Sequence, residues 1–310
     1  MKRLYINLFL FIVPIALVVL VIPIDKLKVY QGLKNDCMSR GVWIYDRLFE
    51  NPVPIDIVFL GSSHTINSVN DELIETELSG SESVNVVNFG YCRLGRNLTY
   101  ALVEEIIVSK KVNALVIEVR EDEDRYSHPM FPYIARGEDV LMPVLLFNRD
   151  IGQDYFDHVS YKVALIQDEL FAANHPHQAS LQNHGFAPVP DTATIELMNE
   201  ARATRDKSKY DLDGIERDFY MSFPRTYLNK IALLCDQHKI RMYFLYLPAF
   251  GWGLEVPSEM ETYKKHGRVL IPPMSIFEDL DNWYDPNHLN EAGAEQLSTW
   301  LASEFKEISN

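Results

Sequence analysis

Short apolar runs alternate with longer amphipathic segments along most of this chain. Five runs have the length and composition of buried β-strands, and they occupy residues 55–60, 84–89, 114–119, 240–247 and 269–271. The helix-like segments that accompany them occupy residues 66–78, 97–111, 224–238 and 291–308. Strands and helices in this alternation predict a parallel sheet with helices on both faces. We therefore predict an α/β fold, a flavodoxin-like three-layer sandwich around a central parallel sheet.

The middle of the chain lacks this regularity. Residues 120–222 contain few periodic segments, although 159–173 and 194–204 have helical character. A stretch of this length is too long for a plain loop. We interpret it as an insertion over the face of the sheet, within an α/β domain that spans residues 55–310; a separate second domain is the alternative. Residues 25–54 precede this domain as a linker and a covering helical segment.

The N-terminus contains a long apolar run. Lys2 and Arg3 precede residues 4–24, which contain no charged residue. At about 1.5 Å rise per residue, a helix of this length crosses a bilayer core of about 30 Å. A cleaved signal peptide is the alternative, but its apolar region would be shorter, roughly 7–15 residues, and would end in small residues. We predict that residues 1–24 form a single transmembrane helix with a cytoplasmic N-terminus, and that the remaining domain is periplasmic or extracellular.

The charge balance excludes one class of partner. The formal net charge is -15, and no basic run interrupts the acidic balance. Because phosphate binding needs a basic face, we do not expect a nucleic-acid partner.

The cysteines and histidines do not form a recognisable metal or cofactor motif. Cys37, Cys92 and Cys235 are too few for a disulfide scaffold and are not spaced like metal ligands. We expect three reduced thiols, with one disulfide and a spare thiol as the alternative. His175 and His177 lie two residues apart, but no third ligand completes a known spacing, so we assign them to a surface loop. We therefore predict neither a metal nor another cofactor.

Two short segments, far apart in the sequence, carry the groups of a nucleophilic serine site. Ser63 follows the first predicted strand, and Asp285 and His288 precede the last helix, three residues apart. A serine hydroxyl needs a base to take its proton, and that base is usually a histidine oriented by a carboxylate. Taken alone, the serine segment is better explained by a helix cap, and the Asp-His segment is explained at least as well by an Asp-Pro turn. Because ligands in parallel sheets bind beyond the carboxyl ends of the strands, we expect the three residues to converge there as nucleophile, orienting acid and base.

Such a site also needs donors for the oxyanion of the reaction. Our candidates are the backbone N–H groups of Ser63 and Gly90 and the side chain of Asn88. Losing one such donor typically costs about 2.7–4 kcal/mol of barrier. For Asn88, a structural role that bridges the turn is the alternative.

These segments resemble the blocks of the SGNH (GDSL-like) hydrolase superfamily. The resemblance rests on residues 61–63 after the first strand, 88–90 after the second and 285–290 before the last helix. In that family the serine block reads Gly-Asp-Ser, so Ser63 matches the nucleophile and Ser62 replaces the aspartate. The glycine of the oxyanion block and the Asp-x-x-His pair are matched as well. The resemblance spans roughly residues 55–119 and 224–306, without the middle segment.

The third block of the family is altered. It should read Gly-x-Asn-Asp after the third strand, whereas this chain has Ile-Glu-Val-Arg-Glu-Asp at residues 117–122. The asparagine that donates to the oxyanion in that family is missing here. We assign Arg120 to substrate binding, and it is also our candidate to replace the asparagine as a donor. Membrane-anchored members with Gly-Ser-Ser and an acidic third strand resemble the alginate O-acetylation proteins and the D-alanine-transfer proteins of teichoic acid synthesis. Those proteins often work beside a multi-spanning membrane acyltransferase.

The resemblance and the serine site together predict a function. We expect a membrane-anchored serine acyl esterase or O-acyltransferase that acts on a cell-envelope polysaccharide. Its partners would be the envelope glycan or acyl donor, and a multi-spanning membrane acyltransferase. The alternative is a non-catalytic accessory or glycan-binding protein that partners such an acyltransferase, and the missing asparagine motivates it.

Overall fold

Five parallel strands form the central sheet. The computed structural model describes residues 2–22, 25–33, 39–80, 83–121, 123, 126–141, 150–171, 177–205, 212 and 214–309. The strands lie in the order β2-β1-β3-β4-β5, and every neighbouring pair is parallel. Their bounds are β1 (Ile57–Leu60), β2 (Val86–Asn88), β3 (Ala114–Val119), β4 (Arg241–Tyr246) and β5 (Arg268–Leu270). This order is the one found in flavodoxin-like folds.

Helices cover both faces of the sheet, and a small hairpin precedes the last helix. The hairpin consists of β6 (Trp283–Asp285) and β7 (His288–Leu289). The helices within the described residues are α1 (Lys2–Val21), α2 (Lys26–Gln31), α3 (Arg40–Tyr45), α4 (Ser63–Ser68), α5 (Asp71–Leu78), α6 (Arg96–Ser109), α7 (Phe131–Ile134), α8 (Gly137–Leu141), α9 (Ile151–Phe171), α10 (Ile195–Thr204), α11 (Gly214–His238), α12 (Met260–Lys264), α13 (Ser275–Glu278) and α14 (Glu291–Ser309). A π-helical turn at Asp46–Glu50 continues α3.

Alternate residues of each strand supply two separate hydrophobic cores. Val58 and Leu60 of β1 belong to one core, with α6, α11 and the helices before β1. Ile57 and Phe59 belong to the other, with α5 and α14. Since successive side chains of a strand point to opposite faces, both cores can be built only if helices cover both sides. The predicted α/β fold with a central parallel sheet is therefore confirmed.

Two of the predicted helix boundaries are wrong. The helix predicted at 66–78 is divided into α4 and α5, because the Asn70 side chain accepts a hydrogen bond from the backbone N–H of Leu73 and starts a new helix there. The helix predicted to begin at Pro224 begins at Gly214, and Pro224 lies inside it. A proline favours the first turn of a helix, but an interior proline is tolerated where the loss of one hydrogen bond is offset, here by burial of the ring.

The residues between β3 and β4 include α7–α10 and a long extended segment, residues 177–193. This segment contains neither helix nor strand. Backbone hydrogen bonds join it to α4 and to β6. Ala187 donates to the carbonyl of Ile66 in α4 at 3.1 Å, and Ala193 donates to the carbonyl of Trp283 in β6 at 2.8 Å. The extended segment thus ties α4 to the hairpin.

The N-terminal apolar run forms α1, with Pro14 inside it. Among the described residues, no helix combines the length and apolar character needed to cross a membrane. The transmembrane helix predicted for residues 1–24 stays a prediction.

The cysteines differ from the expectation of three reduced thiols. Cys92 is disulfide-bonded, whereas Cys235 is a free, buried thiol whose pKa burial raises to about 12. The expectation is wrong for Cys92, because sequence spacing does not reveal which thiols the fold brings together. Cys37 and His175, which also carried predictions, lie outside the described residues.

Candidate active site

Ser63 is the first residue of α4, which starts directly after β1. Between them, Gly61 packs so closely that a Cβ at this position would overlap the side chains of Thr65 and Glu118. Ser62 is the N-cap of α4, and its hydroxyl accepts a hydrogen bond from the N–H of His64 at 3.1 Å. The short turn from strand to helix thus places Ser63 at the carboxyl end of the sheet.

Glu118, a buried carboxylate of β3, holds this turn in place. It accepts hydrogen bonds from the Ser62 backbone N–H at 2.6 Å and hydroxyl at 2.7 Å. It also accepts from the Thr65 hydroxyl at 2.7 Å and backbone N–H at 3.2 Å. A negative charge beside a helix N-terminus is stabilising, and the four donors compensate for its burial. The acidic residue of the third strand therefore fixes the backbone on which Ser63 sits.

Asp285, His288 and Ser63 form a continuous hydrogen-bonded chain. His288 Nε2 lies 2.7 Å from Ser63 Oγ, and His288 Nδ1 lies 2.8 Å from Asp285 Oδ2. The hairpin creates the second contact, because Asp285 and His288 are directly paired across it. The structure thus brings together the three residues that the sequence predicted would converge.

The surroundings of Asp285 fix the protonation of the pair. Burial alone would raise the pKa of Asp285, but hydrogen bonds from the His288 ring and from the N–H groups of Asn287 and His288 outweigh it, so that the pKa is lowered. A carboxylate only accepts hydrogen bonds, so Nδ1 of His288 carries the proton. In the neutral ring, the Nε2 lone pair then faces the hydroxyl of Ser63, as a general base requires.

Asn88 and Gly90 do not occupy the role predicted for them. The Asn88 amide nitrogen donates to the carbonyls of Thr65 and Val69, each at 2.7 Å. Its amide oxygen accepts the N–H of Gly90 at 2.9 Å. A fully buried amide must satisfy its own polar atoms, and here it does so by joining β2 to α4. The prediction that these two residues donate to the oxyanion therefore disagrees with the structure.

Of the donors predicted from the sequence, the Ser63 N–H and Arg120 remain for an oxyanion beside Ser63. The backbone N–H of Ser63 is at the first position of α4, where the helix itself offers no acceptor. Arg120, just after β3, lines the same cavity as Ser63 and His288. Its Nη2 lies 2.9 Å from Nε2 of His64, and its Nε lies 4.0 Å from a carboxylate oxygen of Glu118.

The cavity at this site has a volume of about 890 Å³, within the usual range of ligand pockets. Residues of the insertion form part of its wall, among them Arg205 and Tyr126. Arg205 donates to the carbonyl of Pro286 at 2.6 Å and to the side-chain oxygen of Asn287 at 3.0 Å, both in the hairpin turn. It also stacks on Trp252, another wall residue, at 5.4 Å. The insertion therefore supports the turn that carries His288.

Sequence reasoning assigned no role in the site to His64, Glu118 or Arg205. Glu118 had a usable signal, since an acidic residue inside an apolar strand must find buried donors. Arg205 had none, because it lies in a segment without periodicity and meets the hairpin only in the folded chain.

Comparisons with protein-family models, with curated proteins and with solved structures found no match for this chain.

Proposed function

We propose that this protein is a serine acyl esterase or O-acyltransferase of the SGNH type. The observation that carries the proposal is the hydrogen-bonded chain from Asp285 through His288 to Ser63, with distances of 2.8 and 2.7 Å. Asp285 orients the His288 ring, and Nε2 of that ring faces the Ser63 hydroxyl, which is the arrangement that nucleophilic catalysis needs. No rearrangement of the triad is required before an ester enters the cavity.

The reaction proceeds in two halves. Ser63 Oγ attacks the acyl carbonyl and loses its proton to His288 Nε2, while the carbonyl oxygen becomes an oxyanion near the Ser63 N–H and Arg120. Asp285 stabilises the imidazolium. The bond to the leaving alcohol then breaks, the alcohol takes the proton from His288, and an acyl-serine remains. Water or a sugar hydroxyl next attacks the acyl-serine with the same proton transfers, which gives an esterase or a transferase respectively.

The proposed substrate is an acylated cell-envelope polysaccharide or its acyl donor. The cavity volume of about 890 Å³ suits a sugar unit, and Trp252 supplies an aromatic side chain in the wall. Aromatic rings offer an apolar face with a polar edge, a combination that suits sugar rings. The resemblance to polysaccharide O-acetylation and D-alanine-transfer proteins points the same way, and it implies a multi-spanning membrane acyltransferase as partner.

Attachment to a membrane, with the domain outside the cytoplasm, is part of the proposal. Residues 4–24 contain no charged residue, and large apolar side chains of α1 are more than half exposed, including Phe9 at 65% and Phe11 at 68%. An exposed apolar surface of this kind needs an apolar environment. The disulfide at Cys92 also favours an oxidising compartment.

A non-catalytic accessory or glycan-binding protein is the second candidate. The observation that favours it is the engagement of Asn88 and Gly90 in structural hydrogen bonds. An oxyanion site with fewer donors catalyses less efficiently, because each donor contributes about 2.7–4 kcal/mol. In this alternative the cavity binds a glycan without turning it over.

Hydrolysis of p-nitrophenyl acetate distinguishes the two candidates. The enzyme hypothesis predicts turnover that falls on the order of 10⁴- to 10⁶-fold in Ser63→Ala and His288→Ala. Ser303→Ala and His238→Ala, at exposed positions of α14 and α11, are the matched controls and should retain full activity. A folded wild-type protein without turnover would support the accessory role, and full activity in Ser63→Ala would refute the proposed nucleophile.

A further inference from the structure

We propose that His64 is a positioning residue that, as a neutral imidazole, holds Arg120 in the cavity beside Ser63 and His288. The inference rests on the proposed function, since it assigns Arg120 to the oxyanion of that reaction. His64 follows Ser63 directly, and its Nε2 lies 2.9 Å from Nη2 of Arg120. Arg120 replaces the asparagine donor of the resembled family, so its orientation decides whether the site has a second oxyanion donor.

Hydrogen-bond chemistry determines which tautomer of His64 is present. A guanidinium can only donate, so Nε2 of His64 must accept and cannot carry a proton. In the neutral ring the single proton therefore lies on Nδ1, and the backbone carbonyl of Leu247, which can only accept, interacts with the same ring. Both ring nitrogens are therefore committed, and His64 cannot act as a second base toward Ser63.

The surroundings of His64 keep the ring uncharged. The residue is 4% exposed, and three basic groups face it: Arg120 from the end of β3, His288 from β7 and Arg205 from the end of α10. Burial is the main cause that lowers the pKa of His64 well below its usual value, and the charges of these three groups lower it further. The ring centroids of His64 and His288 are 5.4 Å apart. A neutral His64 therefore adds no repulsion when His288 becomes an imidazolium.

Arg120 is restrained from two sides. Glu118 Oε1 lies 4.0 Å from its Nε, and His64 accepts from its Nη2. A guanidinium has five N–H donors in a rigid fork, so contact with His64 orients the fork without exhausting its donors. The Arg120 side chain is 24% exposed, and the cavity that it lines also contains Ser63. Among the residues that the structure describes, no other acceptor is hydrogen-bonded to Arg120, so its remaining donors are available to an acyl oxygen bound there.

A double-mutant cycle on ester hydrolysis tests this coupling. Arg120→Gln should lower kcat about 10²- to 10³-fold, as the loss of an oxyanion donor does. His64→Leu should lower kcat about 10- to 100-fold, in the range found for residues that orient a reacting group, with a much smaller effect on KM. In the double variant, His64→Leu should cause no further decrease. His64→Gln can still accept from Arg120 and donate to Leu247, and it should recover most of the rate.

Additive losses in the double variant, or an unchanged kcat in His64→Leu, would overturn the proposal. His238→Leu, an exposed histidine of α11, is the control, and circular dichroism checks the fold of each variant.

Nitrogen-15 NMR of the histidine rings in the wild-type protein provides a test that no folding defect can disturb. The proposal predicts a His64 ring that carries its proton on Nδ1 and titrates well below the usual histidine value. A proton on Nε2, or titration near the usual value, would refute it. If the wild-type protein hydrolyses no ester, the proposed function fails, while the NMR result still decides the His64 contact.

Discussion

At the scale of single residues, Glu118 holds the serine turn in shape. Its two oxygens accept four hydrogen bonds from Ser62 and Thr65, and the side chain is fully buried. Hydrogen bonds to a charged acceptor are roughly twice as strong as neutral ones. The nucleophile is therefore positioned by a carboxylate that does not contact it.

Replacing Glu118 with glutamine tests this role. The glutamine amide would place N–H donors against the donors of Ser62 and Thr65, which need an acceptor. We therefore expect Glu118→Gln to lower the free energy of unfolding by about 1–3 kcal/mol. Activity should decrease as well, because the position of Ser63 depends on the turn. Denaturant unfolding and ester hydrolysis measure the two effects, and Glu295→Gln on the exposed face of α14 is the control for the lost charge. Wild-type stability in Glu118→Gln would show that the turn does not depend on this carboxylate.

Some residues of the site could be predicted from the sequence and others could not. The difference is whether neighbouring residues along the chain or the rest of the fold set the geometry. Asp285 and His288 were predictable, because three residues around an Asp-Pro turn bring the two side chains together with little help from the rest of the fold. Ser63 was predictable from its place between a strand and a helix. Asn88 and Gly90 were not, because a donor's direction depends on tertiary acceptors, here the carbonyls of Thr65 and Val69.

At the scale of elements, the extended segment 177–193 holds the nucleophile and base elements in register. It bonds to α4 at one point and to β6 at another, and the Asp71 carboxylate accepts the N–H of Gly185 at 2.7 Å. Its structure was not predictable from sequence, since a segment without periodicity gains its shape only from such contacts. The strands were predictable because each one is buried on both faces, between the two hydrophobic cores, and therefore has an apolar sequence.

A methyl group at Gly185 should displace this segment. A Cβ there would overlap the carbonyl oxygen of Asn88 and the ring of Trp43. We expect Gly185→Ala to lower the free energy of unfolding by about 1–3 kcal/mol and to reduce ester hydrolysis through the connection to α4. The matched control is Gly152→Ala in α9, where a Cβ meets no atom within 4 Å and should be neutral or stabilising by about 0.5–1 kcal/mol. Equal behaviour of the two variants would contradict the proposed role of the segment.

At the scale of the whole molecule, buried neutral histidines make stability depend on pH. Burial lowers the pKa values of His64, His128 and His158. For His128 the pKa falls from 6.5 to about 4. Its Nδ1 accepts the N–H of Met130 at 3.0 Å, a bond that a protonated ring could not keep. Between these two pH values the unfolded chain binds a proton that the folded chain does not, so stability decreases as the pH falls.

Unfolding at several pH values tests this dependence. The contribution of His128 is fully present above pH 6.5 and is lost as the pH falls to about 4, and it is on the order of 3 kcal/mol. We expect His128→Gln to reduce the difference in unfolding free energy between neutral and acidic pH by a large part of this amount. His238→Gln, at an exposed position, should leave the difference unchanged. An identical pH dependence in His128→Gln and the wild type would show that His128 is not a neutral buried group.

Covalent modification of Ser63 tests the central claim most directly. A fluorophosphonate reacts with a serine hydroxyl that a neighbouring base has activated. Mass spectrometry of the wild-type protein should show a single adduct on the peptide that contains Ser63. The adduct should be absent in Ser63→Ala and His288→Ala and present in Ser303→Ala. A folded wild-type protein that gains no adduct, or a Ser63→Ala variant that is still modified at the wild-type rate, would contradict the proposal that Ser63, His288 and Asp285 form a working catalytic triad.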